Sequence, residues 1–228
     1  MSQPSKEASL YYLRQTIDLA KQSLPKPTNF RVGCVIVNFS DVDAPQVLST
    51  GFTLELPGNT HAEQCALSKL AAKHSLPEEA IPTCLPPQFN ATLYTSLEPC
   101  GKRLSGNLPC VQRIIATQTD NPNGGIKKVV FGAKEPGTFV QDSQSCRLLT
   151  EAGIAWEYLP DFEQEILQVA MEGHVKDPKD VSASTKDELK SKEEKDKLNE
   201  LSAKQQEQAR AEAAPRNPKK RMMDTTLE

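Results

Sequence analysis

Beyond residue 174 the sequence contains no Phe, Trp, Tyr, Ile or Cys. A stretch so poor in large apolar side chains cannot bury enough surface to offset the entropy of ordering its backbone. Any packed core must therefore come from residues 1–174. Charge divides along the same line: 25 of the 54 residues in 175–228 are charged, against 32 of the 174 before them. This tail helps explain a hydrophobic content of only 37%, where about 45–50% is usual with glycine counted. Residues 184–214 are rich in Lys, Glu, Leu, Gln and Ala, all good helix formers. Glu193 with Lys197 and Glu200 with Lys204 add pairs at i, i+4 spacing. A solvated helix ended by Pro215 is expected, with Leu189, Leu198 and Leu201 too sparse for a coiled-coil seam. Pro218-Lys219-Lys220-Arg221 reads either as a nuclear address or as ordinary solvated charge.

Residues 1–174 alternate helical and extended patterns. Leu10, Leu13, Ile17, Ala20 and Leu24 recur at helical spacing, and Pro25 and Pro27 stop that helix. Residues 33–37 form a short branched strand, with 46–52 as its hairpin partner. Residues 61–73 read as a helix whose apolar side is Ala62, Cys65, Ala66, Leu67 and Leu70. A strand at 91–96, a helix at 111–117, a strand at 127–132, a helix at 143–152 and a strand at 154–158 follow. The last helix, 161–171, presents Phe162, Ile166, Leu167 and Ala170, with Asp161 as its N-cap. Residues 75–90 contain four prolines and are expected to be a long surface loop. This order predicts one three-layer α/β/α domain, residues 1–174, around a sheet of about five strands.

No apolar run approaches the ~20 residues of a membrane span. The polar N-terminus lacks a charged-then-apolar export signal, so a cytoplasmic location is expected. A net charge of −3 excludes a wholly basic nucleic-acid coat. Thiols stay reduced inside cells. Metal binding or burial therefore explains the six cysteines, at 34, 65, 84, 100, 110 and 146, better than disulfides do.

The chemistry-bearing words are His61-Ala62-Glu63, Pro99-Cys100 and Cys110. Each alone has a plain explanation. A His at a helix start is usually a cap or surface residue, a Glu in a first turn complements the dipole, and a buried Cys is a small hydrophobe. Together they make a set that a catalytic zinc can use: one imidazole, two thiolates and an open fourth position. Two thiolates neutralise Zn²⁺, and zinc lowers the pKa of a bound water towards ~7. Glu63, two residues beyond the His, can reach that water without ligating the metal and shuttle its proton. His-x-Glu followed by Pro-Cys and a second Cys is the pattern of zinc-dependent base deaminases, usually with two residues between the cysteines; here there are nine. Cys65 shares a helical face with His61 and is a rival ligand, but it also belongs to the apolar stripe of Ala66 and Leu70. Cys34 and Cys146 read as buried residues and Cys84 as free in its loop, while His74 and His174 close helices.

A wider set of motifs resembles one family. Residues 27–37, 51–56, His61-Ala62-Glu63 and Leu93-Tyr94-Thr95-Ser96-Leu97-Glu98-Pro99-Cys100 are similar to the pyrimidine deaminases of riboflavin biosynthesis. The ten residues from Gly101 to Cys110 match that family's longer inter-cysteine segment. Glu98 to Asn107 and Val130 to Pro136 look closest to the fungal type. The resemblance covers roughly residues 10–174. It implies a cytidine-deaminase-like fold with a mixed sheet and zinc as cofactor. It implies hydrolytic removal of the C2 amino group of 2,5-diamino-6-ribitylamino-4(3H)-pyrimidinone 5′-phosphate, with ammonia released. A homodimer is expected, with no membrane or nucleic-acid partner.

On this resemblance His61, Cys100 and Cys110 are the metal ligands and Glu63 the catalytic acid–base. Lys102, Arg103, Ser105 and Asn107 are candidates for the substrate phosphate; two adjacent basic residues are otherwise a solvated loop. Asn29 falls where relatives place an amide near the base and ribose, or is simply a turn residue. Glu135 matches an acidic substrate-side position, or is an ordinary loop charge. Two other readings compete. A tRNA or nucleoside deaminase shares this core, but an RNA editor should show a basic face, whereas residues 1–174 carry a net charge of −4. A non-catalytic zinc-stabilised binding subunit would be expected to lack Glu63.

Overall fold

Two-residue alternation along the strands decides which face each residue joins. In β1 (Gly33–Asn38), Cys34 and Ile36 point to one side of the sheet, and Val35 and Val37 to the other. All six residues of β1 are buried, as a central strand covered on both faces requires. The computed structural model describes residues 4–103, 106–121, 123–136 and 144–174. The chain divides into Met1–His174 and Val175–Glu228. The expected tail helix and the basic cluster at 218–221 lie outside the described residues, as do Ser105 and Ser143.

The sheet has five strands in the order β2-β1-β3-β4-β5: β2 (Gln46–Phe52), β1, β3 (Ala91–Leu97), β4 (Ile126–Ala133) and β5 (Ala155–Tyr158). β1 runs antiparallel to both neighbours, while β3, β4 and β5 are mutually parallel. The sheet is thus mixed. Cys34 pairs with Thr95, and Thr95 with Phe131. On one face, α2 (Ala62–Lys73), α3 (Cys110–Ala116) and α4 (Gln144–Glu151) bury Leu67, Leu70, Ile114 and Leu149 against Ile36, Leu93 and Val129. On the other, α1 (Lys6–Ala20) packs Tyr12 and Leu13 on Val35, Tyr94 and Val130, and α5 (Glu163–Ala170) packs Ile166 and Ala170 on Ala133. This is the three-layer α/β/α arrangement.

Several expectations shift. α1 starts earlier, where Ser5 accepts a 3.1 Å bond from the Ala8 N–H as N-cap. It ends at Ala20, and Leu24 is 76% exposed rather than part of its stripe. The buried face is Ser9, Tyr12, Leu13, Thr16, Ile17 and Ala20; the Thr16 hydroxyl is satisfied within the helix by the Leu13 carbonyl at 2.7 Å. Asp161 is not the cap of the last helix. It sits in a 3₁₀ turn (Pro160–Phe162) and pairs with Lys6 at 3.0 Å, so α5 begins at Glu163. Residues 75–90 are not a plain surface loop. They form two 3₁₀ segments, Glu78–Cys84 and Pro87–Phe89, and bury Ile81, Cys84 and Leu85. Cys84 is a free thiol but a core one.

Candidate active site

Two helix starts meet at one end of β3. His61 is the residue before α2 rather than its first turn, with extended backbone and no side-chain cap bond, which leaves its imidazole available. Cys110 is the first residue of α3, and Cys100 lies three residues beyond the end of β3. His61 Nδ1 lies 3.3 Å from Cys110 Sγ and 3.6 Å from Cys100 Sγ, and the three ligand atoms lie within 4.8 Å of one another. Tetrahedral zinc with ordinary Zn–S and Zn–N bonds places such atoms about 3.5 Å apart. The donor set and its spacing therefore fit zinc. Cys65 is fully buried in the core and does not join this group, which settles the rivalry as its stripe position suggested.

The two thiols and the imidazole influence one another strongly. The Cys110 thiol donates to Cys100 and holds the Cys100 thiol well below the ordinary value, with His61 and the Cys110 N–H at 3.4 Å contributing. That bond and burial raise Cys110 in turn. Glu63, 3% exposed in the first turn of α2, accepts a 3.3 Å bond from the Thr95 hydroxyl. Burial pushes its carboxyl above the ordinary range, and the Cys100 charge adds to the rise while His61 opposes it. A buried carboxyl whose proton is held more tightly than usual is suited to carrying protons within the site.

The cleft in front of these residues is about 230 Å³ and is walled by Asn29, Phe30, Asn59, Glu98, Lys102, Arg103 and Glu135, among others. Asn29 donates to Asn59 Oδ1 at 2.8 Å and accepts from Thr28 at 2.9 Å. Phe30 is backed by His174, which stacks on it with ring centroids 4.9 Å apart. Glu135 is half-buried in the lining of the cleft. Burial, with the charges of Cys100, Glu63 and Glu98, lifts its carboxyl to about 7. Glu98 is buried beneath; it accepts from Ser145 and lies 3.6 Å from Lys134.

The candidate phosphate residues separate. Lys102 is exposed at the cleft. Arg103 is buried and bonded to protein oxygens. Asn107 is exposed and does not line the cleft, and Ser105 lies outside the described residues. The sequence reading missed Asn59, Thr95 and Glu98. Only Glu98 carried a signal, as the carboxylate of the Glu-Pro-Cys word.

Comparisons with known proteins agree with this geometry. A family model described as "Cytidine and deoxycytidylate deaminase zinc-binding region" matches residues 6–133. The Rib2 deaminase of Aspergillus oryzae, solved as a C-terminal deletion mutant, is 50% identical with a TM-score of 0.67, covering 73% of this chain and 92% of that one. The same protein was also solved in complex with DARIPP. The "Diaminohydroxyphosphoribosylamino-pyrimidine deaminase" of Schizosaccharomyces pombe is 33% identical over 163 residues, covering 72% of this chain. The chain spans only 35% of the length of that relative. A Thermotoga maritima deaminase/reductase is 25% identical with a TM-score of 0.52, covering 71% of this chain and 39% of that one.

Proposed function

Because the chain belongs to the cytidine and deoxycytidylate deaminase zinc-binding family, we propose that it hydrolytically removes the C2 amino group of 2,5-diamino-6-ribitylamino-4(3H)-pyrimidinone 5′-phosphate and releases ammonia. His61, Cys100 and Cys110 would hold a zinc ion, which would supply activation of a water molecule at neutral pH. The remaining work falls to the chain's own residues. Glu63, its carboxylate fixed by the Thr95 hydroxyl, would carry the two protons of the attacking water in turn, one to the ring nitrogen beside C2 and one to the departing amino nitrogen, which leaves as ammonia. Asn29 and Glu135, both lining the cleft, orient the heterocycle. Lys102, exposed at the cleft and two residues from a ligand, meets the phosphate.

The observation that carries the reading is the placement of Glu63: buried, held by Thr95, and two residues from a ligand. A structural zinc site has no use for such a group. The choice of substrate is supported by the Aspergillus relative solved with DARIPP and by the inter-cysteine segment. A homodimer in the cytoplasm completes the proposal; the mass of the native protein in solution tests the first part. The decisive experiment incubates purified, zinc-loaded protein with the ribitylamino pyrimidine phosphate, beside cytidine, guanine and tRNA. Ammonia release and the matching mass change should appear with the pyrimidine phosphate. Turnover of cytidine or tRNA in its place would refute the substrate assignment.

A further inference from the structure

Arg103 stands next to Lys102 in the sequence but not in its environment. It is 7% exposed, whereas Lys102 is open to solvent. Burying a guanidinium is costly unless its N–H groups find acceptors. Here Nη2 donates to the Asn59 carbonyl at 2.5 Å and Nη1 donates to Gln64 Oε1 at 3.2 Å. One N–H of each terminal nitrogen is thus committed to a protein oxygen, which leaves fewer donors for a phosphate. The two acceptors are informative. Asn59 belongs to the connection between β2 and α2, and its side chain receives the Asn29 amide at 2.8 Å. Gln64 lies in the first turn of α2, beside Glu63. One side chain from the inter-cysteine segment therefore ties together the connection that leads into His61, the helix turn that carries Glu63, and, through Asn59, the Asn29 wall.

We infer that Arg103 is a positioning residue: it holds the Asn59 connection against the first turn of α2, and so sets Asn29 and Glu63 relative to each other for a substrate whose phosphate other groups bind. The inference rests on the deaminase reading above and deepens it. The rival role is direct phosphate contact, favoured by the fact that Arg103 has no carboxylate partner among the described residues. The two roles differ in what they do to a substrate with no phosphate. Loss of a phosphate contact hurts only the phosphorylated substrate, whereas loss of alignment hurts both.

The test measures kcat and KM for Arg103→Ala, Arg103→Lys and Lys102→Ala on the ribitylamino pyrimidine with and without its phosphate. A misplacement near 1 Å costs on the order of 10²-fold. Arg103→Ala should lose about that much in kcat on both substrates, with zinc content at the parental level, and Arg103→Lys should recover part of it. Lys102→Ala should instead lose activity only on the phosphorylated substrate. Hydrogen exchange across residues 55–61 gives a readout free of turnover. It should quicken by ~10-fold in Arg103→Ala, because opening the connection loses its charge-assisted bonds, and stay parental in Lys102→Ala. A loss confined to the phosphorylated substrate, or unchanged exchange, would overturn the inference. If the parent turns over neither pyrimidine, the deaminase reading fails, and the exchange result decides Arg103 alone.

Discussion

At Gly51 the backbone of α2 packs directly against β2. A Cβ at this position of β2 would lie 2.3 Å from the Ala62 carbonyl, 2.5 Å from the Ala66 nitrogen and 3.1 Å from Cys65 Cβ. Two of these are helix backbone atoms, so no rotamer change relieves the clash. The shortest ordinary carbon–oxygen contact is about 3.3 Å; Gly51→Ala must therefore move Ala62 by roughly 1 Å. Ala62 sits between His61 and Glu63, so that movement is passed to a zinc ligand and the proton carrier together. Overpacking of this kind costs about 1–3 kcal/mol, and at ~2–4 °C per kcal/mol for a domain of this size Tm should fall by ~2–12 °C. The kcat should fall further than stability alone implies, on the order of 10²-fold for a 1 Å misplacement. Thermal melts, zinc content and initial rates on the same preparation separate the two effects. Val47→Thr, on the exposed part of the same strand, should leave all three near parental values. A Gly51→Ala protein with parental Tm and kcat would show that α2 is free to shift, and the argument for a fixed His61–Glu63 pair would fall with it.

Zinc should bind at about one ion per chain and weaken by ~10-fold or more in Cys100→Ala and Cys110→Ala, while Cys65→Ala should keep its metal; metal analysis with the opposite pattern refutes the ligand set. Glu63→Gln should keep fold and zinc but lose ~10²–10⁴-fold in kcat, and near-parental turnover would exclude Glu63 as the proton carrier. Lys102→Ala should raise KM for the phosphorylated pyrimidine by ~10-fold or more, for a charge-assisted bond of ~1.5 kcal/mol. Equal losses with and without the phosphate would remove Lys102 as its ligand.

The strands and the ligand-bearing helix were legible because their apolar periods are undisturbed. Val35, Ile36 and Val37 can only be a covered strand, and Ala62, Cys65, Ala66, Leu67 and Leu70 all turn inward as their spacing requires. The misplaced elements share a different cause. Leu24 looked like one more turn of α1, but the helix ends at Ala20 and leaves Leu24 beyond its C-cap, facing solvent. Asp161 has the chemistry of a cap, yet Lys6 on α1 takes its carboxylate, a partner that only the tertiary structure brings near. Proline density made 75–90 look like loop. The prolines instead bound short 3₁₀ turns, a conformation with no strong period, and these lay Ile81, Cys84 and Leu85 into the core.

The site was legible where chemistry restricts residue choice and illegible where it does not. Only a few side chains can ligate zinc, so His61, Cys100 and Cys110 stood out against a chain holding three histidines and six cysteines. Glu63 followed from its distance to them. Substrate walls are built from amides and charges that also serve loops, and the sequence does not say which way a loop residue faces. Lys102 and Arg103 show this most clearly, since composition treats them alike. Lysine is a point charge on a flexible stem that reaches solvent readily, whereas the arginine fork fits fixed oxygens at set angles. Asn59 and Gln64 offer such oxygens, and Arg103 turns in to meet them. The pair that read as one phosphate clamp is thereby split into an exposed charge at the cleft and a buried guanidinium bonded to protein oxygens.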